Sequence, residues 1–252
     1  MRKGILLLLL ISMASFCIAQ DKLPTVVPDR PGYTWGAEVT PWHKISWDNG
    51  FAFDWTKDEP YALTLNSTIL RYGIFENVEL RVGTDFLMYR EEPDSKPVFG
   101  IAPLAIGTKI KLYEGNGVLP AIAVLAELKS PHIGTKDQLP SHLAPAMYAI
   151  FEHAIGERFS ICYHAGLEWD GETTTPTTFL ALALGYSITE SLGTFVETYN
   201  YLHPVDGNQY MTEFGLTWLV SRRVQLDIEA DLDFQHLGQY YSIGCGVAWM
   251  IN

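Results

Sequence analysis

The chain has 252 residues, 48% hydrophobic and 13% aromatic, with a formal charge of −12. That acidity makes the chain a poor partner for nucleic acid or for anionic lipid surfaces, both of which attract basic surface. Three cysteines are too few for a disulfide scaffold.

Residues 1–19, "MRKGILLLLLISMASFCIA", read as a secretory signal peptide. Arg2 and Lys3 form the basic start, Gly4 to Met13 an apolar core too short to span a bilayer as a helix, and small residues lead to Ala19. Removing it takes away two basic residues and no acid, so −12 becomes −14. Bulky Phe16 before Cys17 argues against a lipoprotein. No later segment approaches the roughly 18 apolar residues of a transmembrane helix, so the exported chain is either soluble or a membrane-spanning barrel. Residues 20–43 hold four prolines and no period. They read as an N-terminal segment, periplasmic or lumenal, ahead of a domain over 44–252.

That domain breaks into twelve aromatic-rich segments: 44–55, 60–72, 77–89, 100–112, 118–129, 142–155, 158–169, 176–188, 193–203, 209–220, 223–234 and 239–251. Each reaches the roughly 9–11 residues that cross a bilayer as a tilted strand. The connections alternate. Tight turns such as "EGNG" and "TESL" follow the even segments, and longer polar loops such as "KSPHIGTKDQLPS" follow most of the odd ones. Short turns at one end and longer loops at the other are an outer-membrane barrel's asymmetry.

Side chains alternate with period two, the β signal. In 223–234, Val224, Leu226, Ile228, Ala230, Leu232 and Phe234 share one face, and Gln225, Asp227, Glu229, Asp231 and Asp233 the other. Segments 60–72 and 142–155 alternate less cleanly, which predicts a bulge or a shifted boundary in each. A soluble sandwich would also alternate. The export signal, the loop asymmetry and the charges on the polar face favour a single 12-stranded antiparallel up-and-down transmembrane β-barrel. Closure leaves no strand edge unpaired in lipid.

Asp29-Arg30-Pro31, "LRYGIFENVELRVG" at 70–83, "PLAIGTKIKLYEG" at 103–115, "HAGLEWDG" at 164–171 and "FVETY" at 195–199 occur in an order and spacing that resemble one family. This is the MetA-pathway of phenol degradation family of outer-membrane transporter barrels. The resemblance covers nearly the whole mature chain. It implies a Gram-negative outer-membrane channel taking up small solutes, aromatic compounds among them. It also implies contact with outer-membrane lipid and with the barrel-assembly machinery. The chain departs from the pattern in ending "AWMIN" rather than in an aromatic residue, and Trp249 within that stretch is the aromatic that can serve as the signal.

No catalytic signature is present: no GxSxG, HExxH, P-loop or CxxC in the mature chain. The polar face, taken as inward, carries the information. Arg71, Glu79, Arg81, Asp85, Lys109 and Lys111 form a mixed-to-basic wall. Across the bore, Glu168, Glu197, Glu213, Asp227, Glu229, Asp231 and Asp233 form an acidic one. Stacked like charges need water, opposing cations or a bound cation. The wall is then a hydrated structural network, or a transverse field that orients a solute as charged rings do in channels. Asp29, Arg30 and Pro31 would lie at the mouth, where Arg30 can enter the bore and pair with the acidic wall, making the segment a partial plug. The opposing expectation is a loose tail.

His132, His142, His203 and His236 cluster towards the long-loop end without a metal-binding spacing, so neither metal nor cofactor is expected. Cys162 falls on the inward face and Cys245 on the outward face, which opposes a disulfide. Oligomeric state is not legible. Two alternatives to a channel stay open: a structural or surface-binding barrel with a filled bore, and an outer-membrane lipid-active enzyme.

Overall fold

The computed structural model describes residues 24–57, 61–90, 95–205 and 207–251. The expected signal peptide lies outside them. Thirteen strands follow in order: β1 Ile45–Thr56, β2 Ala62–Phe75, β3 Val78–Tyr89, β4 Val98–Ile101, β5 Ala105–Tyr113, β6 Ala121–Lys129, β7 Ala144–Ile155, β8 Phe159–Glu168, β9 Thr177–Ser187, β10 Leu192–His203, β11 Gly207–Ser221, β12 Val224–Asp233 and β13 Tyr240–Ile251. Consecutive strands pair antiparallel except β4 and β5, which both pair with β3, and β13 pairs back to β1, so the sheet closes on itself.

β4 and β5 are two pieces of one stave. Both pair with β3, β4 along Phe86–Tyr89 and β5 along 78–83. The break falls at Ala102-Pro103-Leu104, where proline has no N–H for the ladder. Ala102 still donates to the Asp85 carbonyl of β3, whereas Leu104 turns away to the Ile133 carbonyl. The barrel therefore has twelve staves, as the alternation of the sequence predicts, with boundaries shifted by a few residues.

The two irregular segments have different causes. Register slips between Gly50 and Ala52 against β2, and between Thr64 and Asn66 against β3, so β2 carries the expected bulges. β7 has none; its register is continuous with both β6 and β8. Its pattern is blurred because its inward face is itself apolar: Ala146, Tyr148 and Ile150 are buried. Elsewhere the outward positions form an apolar belt that includes Leu80, Ile106, Leu182, Phe214, Ile228 and Trp249, all exposed. Charges on that face would be costly in lipid.

Candidate functional site in the bore

Residues 24–43 loop into the barrel from the short-turn end. Val26 N–H donates to the Arg222 carbonyl in the β11–β12 turn, and Trp42 bridges Gly73 near the β2–β3 turn. Between these points the segment crosses the bore. A Cβ at Gly73 would overlap the backbone of Thr40 and Pro41, so only glycine lets the segment lie this close to β2.

Asp29 and Arg30 face different stretches of the wall, Asp29 towards β2, β3 and β5 and Arg30 towards β12. The Asp29 carboxylate lies 2.9 Å from Lys109 Nζ, 2.9 Å from Arg81 Nη1 and 3.5 Å from Arg71 Nη1, fully enclosed. Arg30 Nη2 lies 2.9 Å from Asp227 and 3.2 Å from Glu229. One dipeptide thus answers both walls with the opposite charge. The chain crosses between them with a cis Arg30–Pro31 bond. Arg30 rests on a bed without side chains: a Cβ at either Gly50 or Gly246 would overlap its guanidinium.

Many of the wall carboxylates receive backbone N–H groups of the segment. Asp48 accepts from Asp29 at 3.0 Å, and Glu197 from Tyr33 at 2.7 Å and Thr34 at 3.0 Å. Glu152 accepts from Ala37 at 2.8 Å and Glu79 from Thr40 at 2.7 Å. A chain inside a barrel has no strand partner, and a buried N–H without an acceptor is costly. The carboxylates supply those acceptors, in charge-assisted bonds stronger than neutral ones.

The far half of the segment sits on the apolar wall. Ala37 packs into a buried cluster with Ala123, Leu125, Tyr148, Ile150 and Phe179, and Trp35 packs against its edge. Trp35 meets Tyr148 edge-on at 5.0 Å and lies 5.6 Å from the Arg81 guanidinium. Its carbonyl accepts from Cys162 Sγ at 2.9 Å and His164 Nε2 at 2.6 Å. Sγ and Nε2 are 3.7 Å apart, but both donate to the same carbonyl, which commits the pair to holding the segment rather than to nucleophile and base.

The remaining expected residues divide by place. Glu168 accepts from Tyr148 Oη at 2.9 Å and Asp231 from Tyr199 Oη at 2.8 Å. Glu213 is buried beside Asp231 in register. Lys111 pairs with Glu38 and Glu114 at the short-turn rim. Asp233 turns to its own loop, accepting from the N–H groups of Gln235 and His236. Asp85 lines a chamber of about 310 Å³ on the long-loop side of the segment, together with Asp29, Arg30, Tyr33, Asp54 and Glu213. A second cavity of about 260 Å³, lined by Pro31, Thr34, Gly36 and Glu197, lies towards the short turns. Cys162 is buried and Cys245 exposed, both free, as opposite faces require.

Sequence reasoning missed Asp48, Glu152, Cys162–His164 and the Gly50–Gly246 bed. Asp48 and Glu152 carried a signal, since both are inward by alternation; the glycine bed carried none until the partner was known.

The family model described as "Putative MetA-pathway of phenol degradation" matches residues 28–251. The chain belongs to this family. The match begins one residue before Asp29, so it takes in the Asp29–Arg30 bridge along with the barrel. Among solved structures, the COG4313 outer membrane channel from Pseudomonas putida F1 is similar, with a TM-score of 0.64 at 12% identity over 88% of this chain and 99% of that one. The KdgM porin in complex with disordered oligogalacturonate gives 0.60 at 8% identity over 82% and 99%. The NanC porin gives 0.56 at 11% identity over 81% and 98%. At these identities the likeness is one of fold, a closed outer-membrane barrel of the channel and porin type. No curated protein matches.

Proposed function

We propose that this member of the MetA-pathway family is a passive outer-membrane channel for small solutes, aromatic compounds among them, whose bore is narrowed by its own residues 24–43. The short turns face the periplasm, so the segment enters from that side, and the long loops face outward. The barrel's kinship with outer-membrane channels supports the location, and the family supports the aromatic solute. The observation that carries the reading is the Asp29–Arg30 bridge, which joins two oppositely charged stretches of the wall inside the bore. The chamber and the cavity on its two sides are the remaining stretches of the path. The charged walls keep a transverse field there, and the protein does no covalent chemistry. Oriented charges of this kind set which solutes enter a pore.

Planar-bilayer recording tests this. The refolded full chain gives small currents, and deleting residues 21–40 raises them. Unchanged current after deletion overturns the plug. A filled structural barrel is the competing reading, favoured by the continuous packing of Ala37 into the wall cluster. It predicts no stable open current from the full chain.

A further inference from the structure

The bridge leaves part of the acidic wall unanswered. In register across neighbouring strands run Glu197 on β10, Glu213 on β11, Asp231 on β12, Ser242 on β13 and Asp54 on β1. Adjacent strands are about 4.8 Å apart, so these carboxylates form one row along the bore wall. Glu197 is taken by the segment's N–H groups. Glu213, Asp231 and Asp54 line the long-loop chamber with Asp85 and Glu229. Asp231 accepts from Tyr199 Oη and Asp54 from Tyr240 Oη, and among the described residues Arg30 is the one lysine or arginine lining the chamber. Arg30 is already shared between Asp227 and Glu229. Glu213 is only 1% exposed, yet its Oε1 has no hydrogen-bond partner among the described residues, and neither does Glu229 Oε2. A buried carboxylate oxygen left without a donor is costly unless a cation or donor arrives.

An aromatic surface lies beside this row. Tyr33 stacks on Tyr199 at 4.1 Å between centroids and keeps 42% of its surface open, and Trp35 lines the same chamber. No group of three or more His, Cys, Asp or Glu among the described residues is placed to hold a metal ion. A bare metal is therefore the poorer fit. An ammonium group satisfies up to three acceptors at once and is attracted by the tyrosine face, on which a ring beside it can stack. A chamber of about 310 Å³ is of the size that takes a small organic molecule.

We infer that the row of Glu213, Asp231 and Asp54, with Tyr33 beside it, is a binding site for a small aromatic ammonium compound on the long-loop side of the bridge. The inference rests on the channel reading for the idea that the occupant is a solute, while the site itself stands on the chamber's chemistry. The test is calorimetric titration of the refolded full chain with phenethylammonium and with phenethyl alcohol, its neutral counterpart. The expected result is at least about tenfold tighter binding of the ammonium, a margin of about 1.4 kcal/mol. In the E213Q/D231N double variant that preference falls to about twofold or less. Ser242→Lys places an amine of the protein's own in the row and abolishes the preference without removing any acid. This second variant serves where the double variant does not refold. Equal affinity for the two compounds, as a proton shared between Glu213 and Asp231 would give, overturns the site. So does a preference that survives both changes. A barrel that conducts but shows no preference loses this site and keeps the channel reading. One that binds the ammonium but carries no current keeps the site and loses the channel.

Discussion

The segment inside the barrel is held by two walls of opposite character. At Asp29–Arg30 the wall is ionic: Arg71, Arg81 and Lys109 on one side, Asp227 and Glu229 on the other. At Trp35–Ala37 it is apolar, built from Leu125, Tyr148, Ile150 and Phe179 on β6, β7 and β9. The ionic wall is demanding, because each charge there is withdrawn from water and needs its partner at one geometry. The apolar wall is tolerant, because dispersion and burial care about volume more than direction. A segment fastened this way has one end that sets its position and one end that adds adhesion. Changes at the first should be large and specific, and changes at the second graded with size.

The largest effect is expected at Asp29. Asp29→Asn leaves Arg71 and Arg81 to share Asp48, Glu79 and Glu127, and takes from Lys109 the carboxylate it pairs with. Breaking a buried ionic group by removing one partner costs about 3–5 kcal/mol. Urea unfolding of the refolded barrel in micelles, followed by tryptophan fluorescence, measures it. A loss below about 1 kcal/mol, the range of solvated pairs, would mean that water already screens the cluster and that the ionic wall is not the dominant anchor.

Trp35→Ala probes the other wall. It removes the ring that meets Tyr148 and Arg81 while keeping the carbonyl that Cys162 and His164 bond. A cost of about 3 kcal/mol is expected, at the low end for a large aromatic because Trp35 is only partly buried. Trp35→Phe should recover most of it. Were Phe no better than Ala, the apolar wall would be as particular about shape as the ionic one is about charge, and the contrast between them would fail.

How far the sequence reaches follows the same division. Barrel, strand count and inward faces are legible because lipid forbids charge on one face and the bore admits it on the other. Asp227, Glu229, Arg81 and Lys109 therefore announce themselves. On β7 the rule gives out: Tyr148 and Ile150 point inward but look like lipid-facing residues, because the segment that covers them supplies its own oil in Trp35 and Ala37. The carboxylates were visible, yet part of their work was not. A Glu in a bore reads as a charge facing solute, whereas Glu197 and Glu152 are acceptors for backbone N–H groups of a chain 115 or more residues away. Alternation places a side chain on a face; it says nothing of what arrives there.

Gly246→Ala sharpens the ionic end without touching a charge. The added methyl overlaps Arg30, whose flexible side chain must leave its bed. Overfilling costs of this kind run about 1–3 kcal/mol. In an Arg30→Ala background the same substitution should cost little, and the difference between the two backgrounds is the coupling energy of the seat. Equal costs in both would mean that the glycine serves the strand, not the arginine.

The smallest effect belongs to the rim. Lys111 Nζ lies 2.9 Å from Glu38 and 2.8 Å from Glu114, distances as short as those in the bore. Yet the side chain of Glu38 is 48% exposed and that of Glu114 74%. Water solvates both partners, and a pair of that kind contributes about 0–1 kcal/mol. Lys111→Met keeps the aliphatic stem and removes the charge, so it should fall in that range and vanish near 1 M salt, where screening acts over about 3 Å. Asp29→Asn in the same titration should keep most of its cost, since its cluster is enclosed. If instead Lys111→Met matched Asp29→Asn and both faded with salt, the segment would be held where it enters, and the ions that span the bore would be passengers on that attachment.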